Sequence, residues 1–207
     1  MARQVRSEAT RRKLLDAAIE VFSEVGYAAA GRVAIVERAG TTKGALYHHF
    51  DSMNQLVTAI IDEGSETLLA AFRSMCPPSS PALEGLIHGI FAAADALVCD
   101  KRARVATHLA LALDEFNDAA VGVHARWLQE VAAQTQRAIA EGDLRGDLDP
   151  RAVGEAIVGA VFGARSLSEG DPVGRLTRMW ELLLPAIVME PALPYFRQFL
   201  ARETLRH

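Results

Sequence analysis

Gly40-Thr41-Thr42-Lys43-Gly44-Ala45-Leu46-Tyr47-His48-His49-Phe50 is the stretch that decides how this chain is read. A Gly-Thr-Thr turn feeds a short helix whose inner positions are Ala45, Leu46 and Phe50. Lys43, Gly44, Tyr47, His48 and His49 are left on the outer side. Thr42 is the expected N-cap, and the N–H groups of the first turn suit a phosphate oxygen. Gly44 clears room for close approach to a duplex, and Lys43 reaches a phosphate or the acceptors of a guanine. Tyr47 and His49 are placed to donate to the DNA backbone, with His48 toward a base edge. Taken alone, the same residues also describe an ordinary solvated helix face, so the flanking segments carry the decision.

Upstream, the spacing predicts a helix from about Ser7 to Val25, with Leu14, Leu15, Ala18, Val21, Phe22 and Val25 facing inward and Gly26 just past its end. A second short helix covers Arg32 to Arg38. Three short helices at this spacing make a helix-turn-helix module, whose last helix enters the major groove. Downstream, Ser52 and Gln55 form a capping box opening a long helix through Leu56, Val57, Ile60, Ile61, Leu68, Leu69 and Phe72 to about Met75. Pro77-Pro78-Ser79-Ser80-Pro81 breaks the chain, and Ser80-Pro81, Asp149-Pro150 and Asp171-Pro172 each read as an N-cap followed by proline at the first helical position. Further helices are expected at 81–98, 101–115, 118–141, 150–167, 172–189 and 191–205, with no convincing strand. The expectation is an all-α protein, with residues 1–52 as the helix-turn-helix domain and 53–207 as a helical body.

Half of the 207 residues are apolar and 23% are charged, enough to bury a large core and too ordered a composition for a disordered chain. The net charge of -4 hides an asymmetry. Residues 1–50 carry eight Lys and Arg against five Asp and Glu, and the remainder fourteen against twenty-one. A basic module on an acidic body fits nucleic-acid binding at one end. Cys76 and Cys99 have no metal-type spacing and read as idle thiols of a reducing cytosol. With no apolar run of about 20 residues and a polar, basic N-terminus, a soluble, cytoplasmic protein without membrane contact is expected. His88, His108 and His124 show no ligand spacing, and Asp114-Glu115 reads as a helix end in water. No phosphate loop or nucleophile elbow is present, so no metal, cofactor or enzymatic activity is expected.

The opening stretch, together with Thr10-Arg11-Arg12-Lys13-Leu14-Leu15-Asp16-Ala17-Ala18, Phe22, Gly26-Tyr27, Ile35, Arg38-Ala39-Gly40 and Leu56, closely resembles the TetR family signature over the first quarter of the chain. Met1-Ala2-Arg3-Gln4, the Lys43–Tyr47 core and Trp127 resemble, more narrowly, the gamma-butyrolactone autoregulator receptors of actinomycetes. The resemblance implies a ligand-responsive transcriptional repressor. Such a protein binds a palindromic DNA operator as a homodimer and is released by a small apolar effector, such as a gamma-butyrolactone, a butenolide or a furan signal. An orphan or architectural DNA-binding protein that answers to no ligand stays open as the alternative. Two positions depart from the family pattern. Ala30-Gly31-Arg32 replaces the usual pair of threonines followed by an apolar residue, with Arg32 placed to recover a phosphate contact, and Met53 stands where a lysine is common.

The resemblance also implies a C-terminal domain that binds the effector and dimerises through its last two large helices. Two apolar stripes fit such a four-helix interface. Val153, Ala156, Ile157, Ala160, Val161 and Ala164 supply the small-residue one, and Leu176, Trp180, Leu183, Leu184 and Ile187 the bulky one. The alternative is that these stripes close the monomer's own core. Pro185 is expected to kink the second of the helices. For the effector, Trp127 is the first candidate, since its indole N–H suits a carbonyl and its ring a flat lactone. Phe91, Leu109, Val158 and Phe162 are expected beside it, each with ordinary core packing as the alternative.

Overall fold

The computed structural model describes residues 2–113, 116–166 and 171–207, with side chains for 4–113, 116–163 and 171–207. Ten α-helices occur among them: α1 Ala2–Val25, α2 Arg32–Arg38, α3 Lys43–His49, α4 Met53–Ser74, α5 Ala82–Cys99, α6 Lys101–Ala112, α7 Asp118–Glu141, α8 Pro150–Ser166, α9 Pro172–Ile187 and α10 Leu193–Thr204. A 3-10 turn, Glu190–Ala192, precedes the last. Among the described residues no strand forms; one isolated bridge pairs Leu144 with Val188. The all-helical expectation holds, with boundaries shifted by a few residues. The largest shift is in α1, which starts at Ala2 because its polar first turns carry no apolar stripe to reveal them.

The chain divides into two compact units, Met1–Glu66 with Asp100–Gly122, and Thr67–Cys99 with Val123–His207. The expected division after Ser52 coincides with a helix start and not with a break in packing. Leu56, Val57, Ile60 and Ile61 on the first half of α4 are at most 1% exposed. Gly64 passes so close to α6 that a Cβ there would lie 2.3 Å from the Ala106 Cβ. The first half of α4 and all of α6 therefore belong with the DNA-reading helices.

In the first unit, Leu14, Leu15, Ala18 and Phe22 of α1 are buried, as are Ile35 and Val36 of α2, Leu46 of α3, and Ala103, Ala106 and Leu109 of α6. Gly40 ends α2 at φ +59, a left-handed backbone that costs a glycine little. Its N–H donates to the Glu37 carbonyl, and the Thr41 N–H donates to Val36 at 3.2 Å, the pattern of a Schellman stop. That stop sets the turn from which α3 departs.

In the second unit, α5 is an 18-residue apolar helix with half of its length buried in the protein. Leu83, Leu86, Ile87 and Phe91 lie fully inside, as do Trp180 and Leu184 of α9. Phe196 and Leu200 of α10 are also buried. Two expected caps form differently. Helix α5 starts one residue later than predicted, because Ser80 is held in a turn by its N–H bond to the Pro77 carbonyl. Glu141 then caps α5 from the end of α7, accepting from the Ala82 N–H at 2.6 Å. Asp171 sits at the N-cap of α9 without a side-chain cap bond. Its carboxylate lies over Gly174, where a Cβ would be 2.2 Å from Oδ2. Asp149 does cap α8, accepting from the Arg151 N–H at 3.0 Å. Helix α9 continues through Pro185 to Ile187, and Arg145 closes its end by donating to the Ala186 carbonyl at 3.2 Å.

Candidate nucleic-acid interface and effector residues

Helix α3 buries Leu46 and turns Lys43, Gly44, Tyr47 and His48 to solvent, as its sequence pattern predicts. Thr42 caps it, with Oγ1 accepting from the Ala45 N–H at 3.1 Å. One of the first-turn donors read as free for phosphate is therefore already used. A Cβ at Gly44 would meet only Thr42 Oγ1, at 3.8 Å, so the outer face there is open. Arg32, at the first turn of α2, joins this surface. Its Nη1 donates to the Tyr47 hydroxyl at 3.3 Å, and its guanidinium carbon lies 5.6 Å from the centroid of the Tyr47 ring. The His48 and His49 rings meet edge-on at 5.1 Å. Burial, then the neighbouring His48 and Arg11, hold His49 below its ordinary pKa. All seven predicted residues thus fall on α3, its cap or the adjacent start of α2.

Ser52 and Gln55 form the predicted box in altered form. The Gln55 N–H donates to Ser52 Oγ at 3.1 Å, while Gln55 Oε1 accepts from Asp51, one residue ahead of the cap, at 2.7 Å. Behind the DNA-reading helices lies an ion network that the sequence reading missed. Glu63 of α4 accepts from Arg11 and Arg12 of α1, at 3.2 and 3.3 Å, and from Arg102 of α6 at 2.7 Å. Arg102 also donates to Asp16 at 2.6 Å, and Lys101 pairs with Glu20. Asn117 was missed too. Its Oδ1 caps α7 at Ala119 and Ala120, and its amide donates to Asn54 and Thr58 of α4. An Asn-Asp pair opening a periodic helix is a cap signal that reading could have used.

The expected effector residues are only partly brought together. Trp127 is buried, with its ring edge-on to Phe72 at 5.5 Å. Val158 is buried on α8, and Phe162 of the same helix packs on His124 at 4.3 Å. Phe91 does not join Trp127. Gly89 of α5 is the residue against Phe72, and Phe91, about 200° further around the helix, stacks on His207 at 5.4 Å instead. Leu109 belongs to the first unit, where it lines a cavity of about 260 Å³ with Phe22, Tyr27 and Val105.

The dimer stripes also need correction. Val153, Ile157, Leu176, Trp180 and Ile187 are at most 8% exposed, buried inside this single chain. Ala160 and Leu183 are half-buried, and the side chain of Ala164 lies outside the described residues. The bulky and small stripes fill the chain's own core because α9 packs against both α8 and α10. What remains outside is a partly different face, in which the expected Ala156 is joined by Ala152, Gly159 and Gly163 on α8 and by Leu182, 79% exposed, on α9. Of the histidines weighed as metal ligands, His88 lies 3.5 Å from the buried Glu203 carboxylate and His124 is against Phe162. His108 faces the first-unit cavity, and Asp114 and Glu115 lie outside the described residues. Cys76 is partly buried, and desolvation pushes its thiol up to about 12, so it is inert at neutral pH.

An exposed, basic second helix of a helix-turn-helix pair, carried on an otherwise helical chain, defines a DNA-binding transcriptional regulator. Residues 14–60 match the model of the tetR family of bacterial regulatory proteins. The chain belongs to this family. It is 32% identical over 194 residues to the A-factor receptor protein of Streptomyces griseus, across 90% of this chain and 67% of that protein. A gamma-butyrolactone receptor described as ArpA-like matches its structure with a TM-score of 0.79 at 27% identity, over 98% of this chain and all 100% of that one. CprB of Streptomyces coelicolor, solved in complex with its biological operator sequence, matches with a TM-score of 0.77 at 26% identity, over 98% of this chain and 100% of that chain.

Proposed function

We propose that this chain is a cytoplasmic repressor that binds a palindromic operator as a homodimer and leaves it when a small apolar effector binds. The observation that carries the reading is α3, capped, exposed and basic at the tip of the first unit. Lys43, Tyr47, His48 and His49 meet the duplex, with Thr42 and Gly44 at the start of α3 and Arg32 at the start of α2. Donors toward phosphate set affinity, and only a few side chains read bases. A single such helix binds DNA weakly, and a two-fold pair spaced about one helical turn apart matches a palindrome. The dimer face is the outward side of α8 and α9, with Ala152, Ala156, Gly159, Ala160, Leu182 and Leu183.

The functional partition follows residues 1–52 for DNA and 53–207 for effector and dimer, although packing groups α6 with the former. The effector site centres on Trp127, Val158 and Phe162, with Phe72 and His124 added by their ring contacts. Likeness to a gamma-butyrolactone receptor and to the A-factor receptor protein makes gamma-butyrolactones the first class to try. Such a ligand must favour the DNA-free arrangement by the coupling it delivers, typically about 1–3 kcal/mol.

The test begins with duplexes selected from a random pool by the full chain, which should return a palindrome. Lys43→Ala with Tyr47→Ala should abolish retention of that duplex; unchanged retention would remove the DNA-reading assignment. Gamma-butyrolactones should then lower affinity for the selected duplex and quench tryptophan fluorescence saturably. Equal affinity at saturating lactone would leave the orphan DNA-binding reading in its place.

A further inference from the structure

We infer that Arg32 is a positioning residue that holds Tyr47 as a ready-made clamp for one DNA phosphate. The proposal rests on the DNA-binding reading above and adds how one contact is made. Arg32 is the first residue of α2, directly after the Gly31 N-cap, and its donor-only guanidinium has no part in capping that helix. It reaches across to α3 instead, lying over the Tyr47 ring at 5.6 Å and donating to the hydroxyl oxygen at 3.3 Å. A planar guanidinium can stack and donate at its edge together, whereas an ammonium cannot.

Two consequences follow from that geometry. The Tyr47 oxygen is occupied as an acceptor, so its own O–H points away and remains a donor. The guanidinium keeps four further N–H donors beside it. The pair therefore presents donors alone, which suits a phosphate with its several acceptor oxygens better than a base edge of mixed character. Tyr47 is 49% exposed and has little else to fix its rotamer, so Arg32 removes freedom that binding would otherwise have to remove.

The experiment measures affinity for the selected duplex across a salt series. It uses this chain and its Arg32→Ala, Arg32→Lys, Lys43→Ala and Tyr47→Phe variants, with the pairs Arg32→Ala/Tyr47→Phe, Arg32→Lys/Tyr47→Phe and Arg32→Ala/Lys43→Ala, and melting temperatures alongside. Arg32→Ala and Tyr47→Phe are each expected to weaken binding about tenfold. Tyr47→Phe should cost under about twofold once Arg32 is gone, because the hydroxyl is no longer held. Arg32→Ala should reduce the salt slope by about one. Arg32→Lys should keep the slope yet share the insensitivity to Tyr47→Phe. Lys43→Ala, an independent contact, should multiply with Arg32→Ala.

Fully multiplicative losses for Arg32 and Tyr47 would overturn the clamp and leave DNA binding intact. So would a changed base preference at one position, since a phosphate contact weakens all sequences alike. A lowered melting temperature with an unchanged slope would reduce Arg32 to a part of the fold. Failure of the unmodified chain to enrich any duplex would remove the DNA-binding reading and the clamp together.

Discussion

The α1–α4–α6 seam of the first unit and the α5–α9–α10 packing of the second are held by different forces. The seam has buried alanines and leucines at its centre, but its edge is a hub of charge in which Glu63 receives three arginines. The side chains of Arg102 and Glu63 are 21% and 28% exposed, so water and salt reach them. In the second unit the centre of the packing is apolar, with Leu83, Leu86, Trp180, Leu184 and Phe196 at most 2% exposed, and the His88–Glu203 pair joins α5 to α10 beside it. Apolar burial is not screened by salt and responds mainly to volume, whereas a charged seam can be loosened by ions. The contrast places adjustability beside the DNA-reading helices and rigidity in the body.

The sharpest way to break this contrast is through volume in the body. Trp180→Ala should cost about 3–5 kcal/mol in urea unfolding, the same at low and high salt. Trp180→Phe should cost under about 1.5 kcal/mol, because the indole N–H has no acceptor among the described residues and its loss strands nothing. A cost for the alanine variant that fell steeply with salt would contradict the apolar account. In the seam, Gly64→Ala drives a methyl into Ala106 and toward the Arg102 carbonyl, 3.0 Å away. Its expected cost is about 1–3 kcal/mol, with little change on Ala106→Gly if the backbone is the harder obstacle.

Charge gives smaller effects. Glu63→Gln removes the carboxylate that Arg11, Arg12 and Arg102 share and leaves Asp16 as the partner of Arg102. The loss should be about 1 kcal/mol in dilute buffer and shrink toward zero in molar salt. A salt-independent loss would show that Glu63 acts by packing. The smallest effect concerns His49. Its pKa is lowered in the fold from 6.5, so the unfolded chain takes up a proton first as pH falls. Stability should therefore drop as pH descends through the ordinary histidine range, and His49→Gln should flatten part of that slope in melts between about pH 7 and 5.

Much of the fold was legible because each helix carries the 3.6-residue period and several ends carry a residue with one job. Gly40 and Thr42 are examples, and they sufficed to place α3. The faces of α8 and α9 were not legible. Both helices are apolar or small over most of their circumference, and periodicity names a stripe without naming what covers it. Phe91 and Leu109 failed for a related reason. Their helices were found, but helix rotation and grouping depend on close crossings such as Gly64 on Ala106, which a single sequence does not announce. Glu63 and its arginines lie 39 to 52 residues apart, and each alone reads as an ordinary solvated charge.

The backbone passes between the two units three times, at 66/67, 99/100 and 122/123, and the first and last of these fall inside α4 and α7. Anyone grafting this reader onto another sensor at residue 52 would therefore transplant an incomplete fold. The severed piece would lack the α6 surface of Ala103, Ala106 and Leu109 and the Arg102 counterpart of its own charges. A chimera that works should carry residues 100–122 along with the first 66.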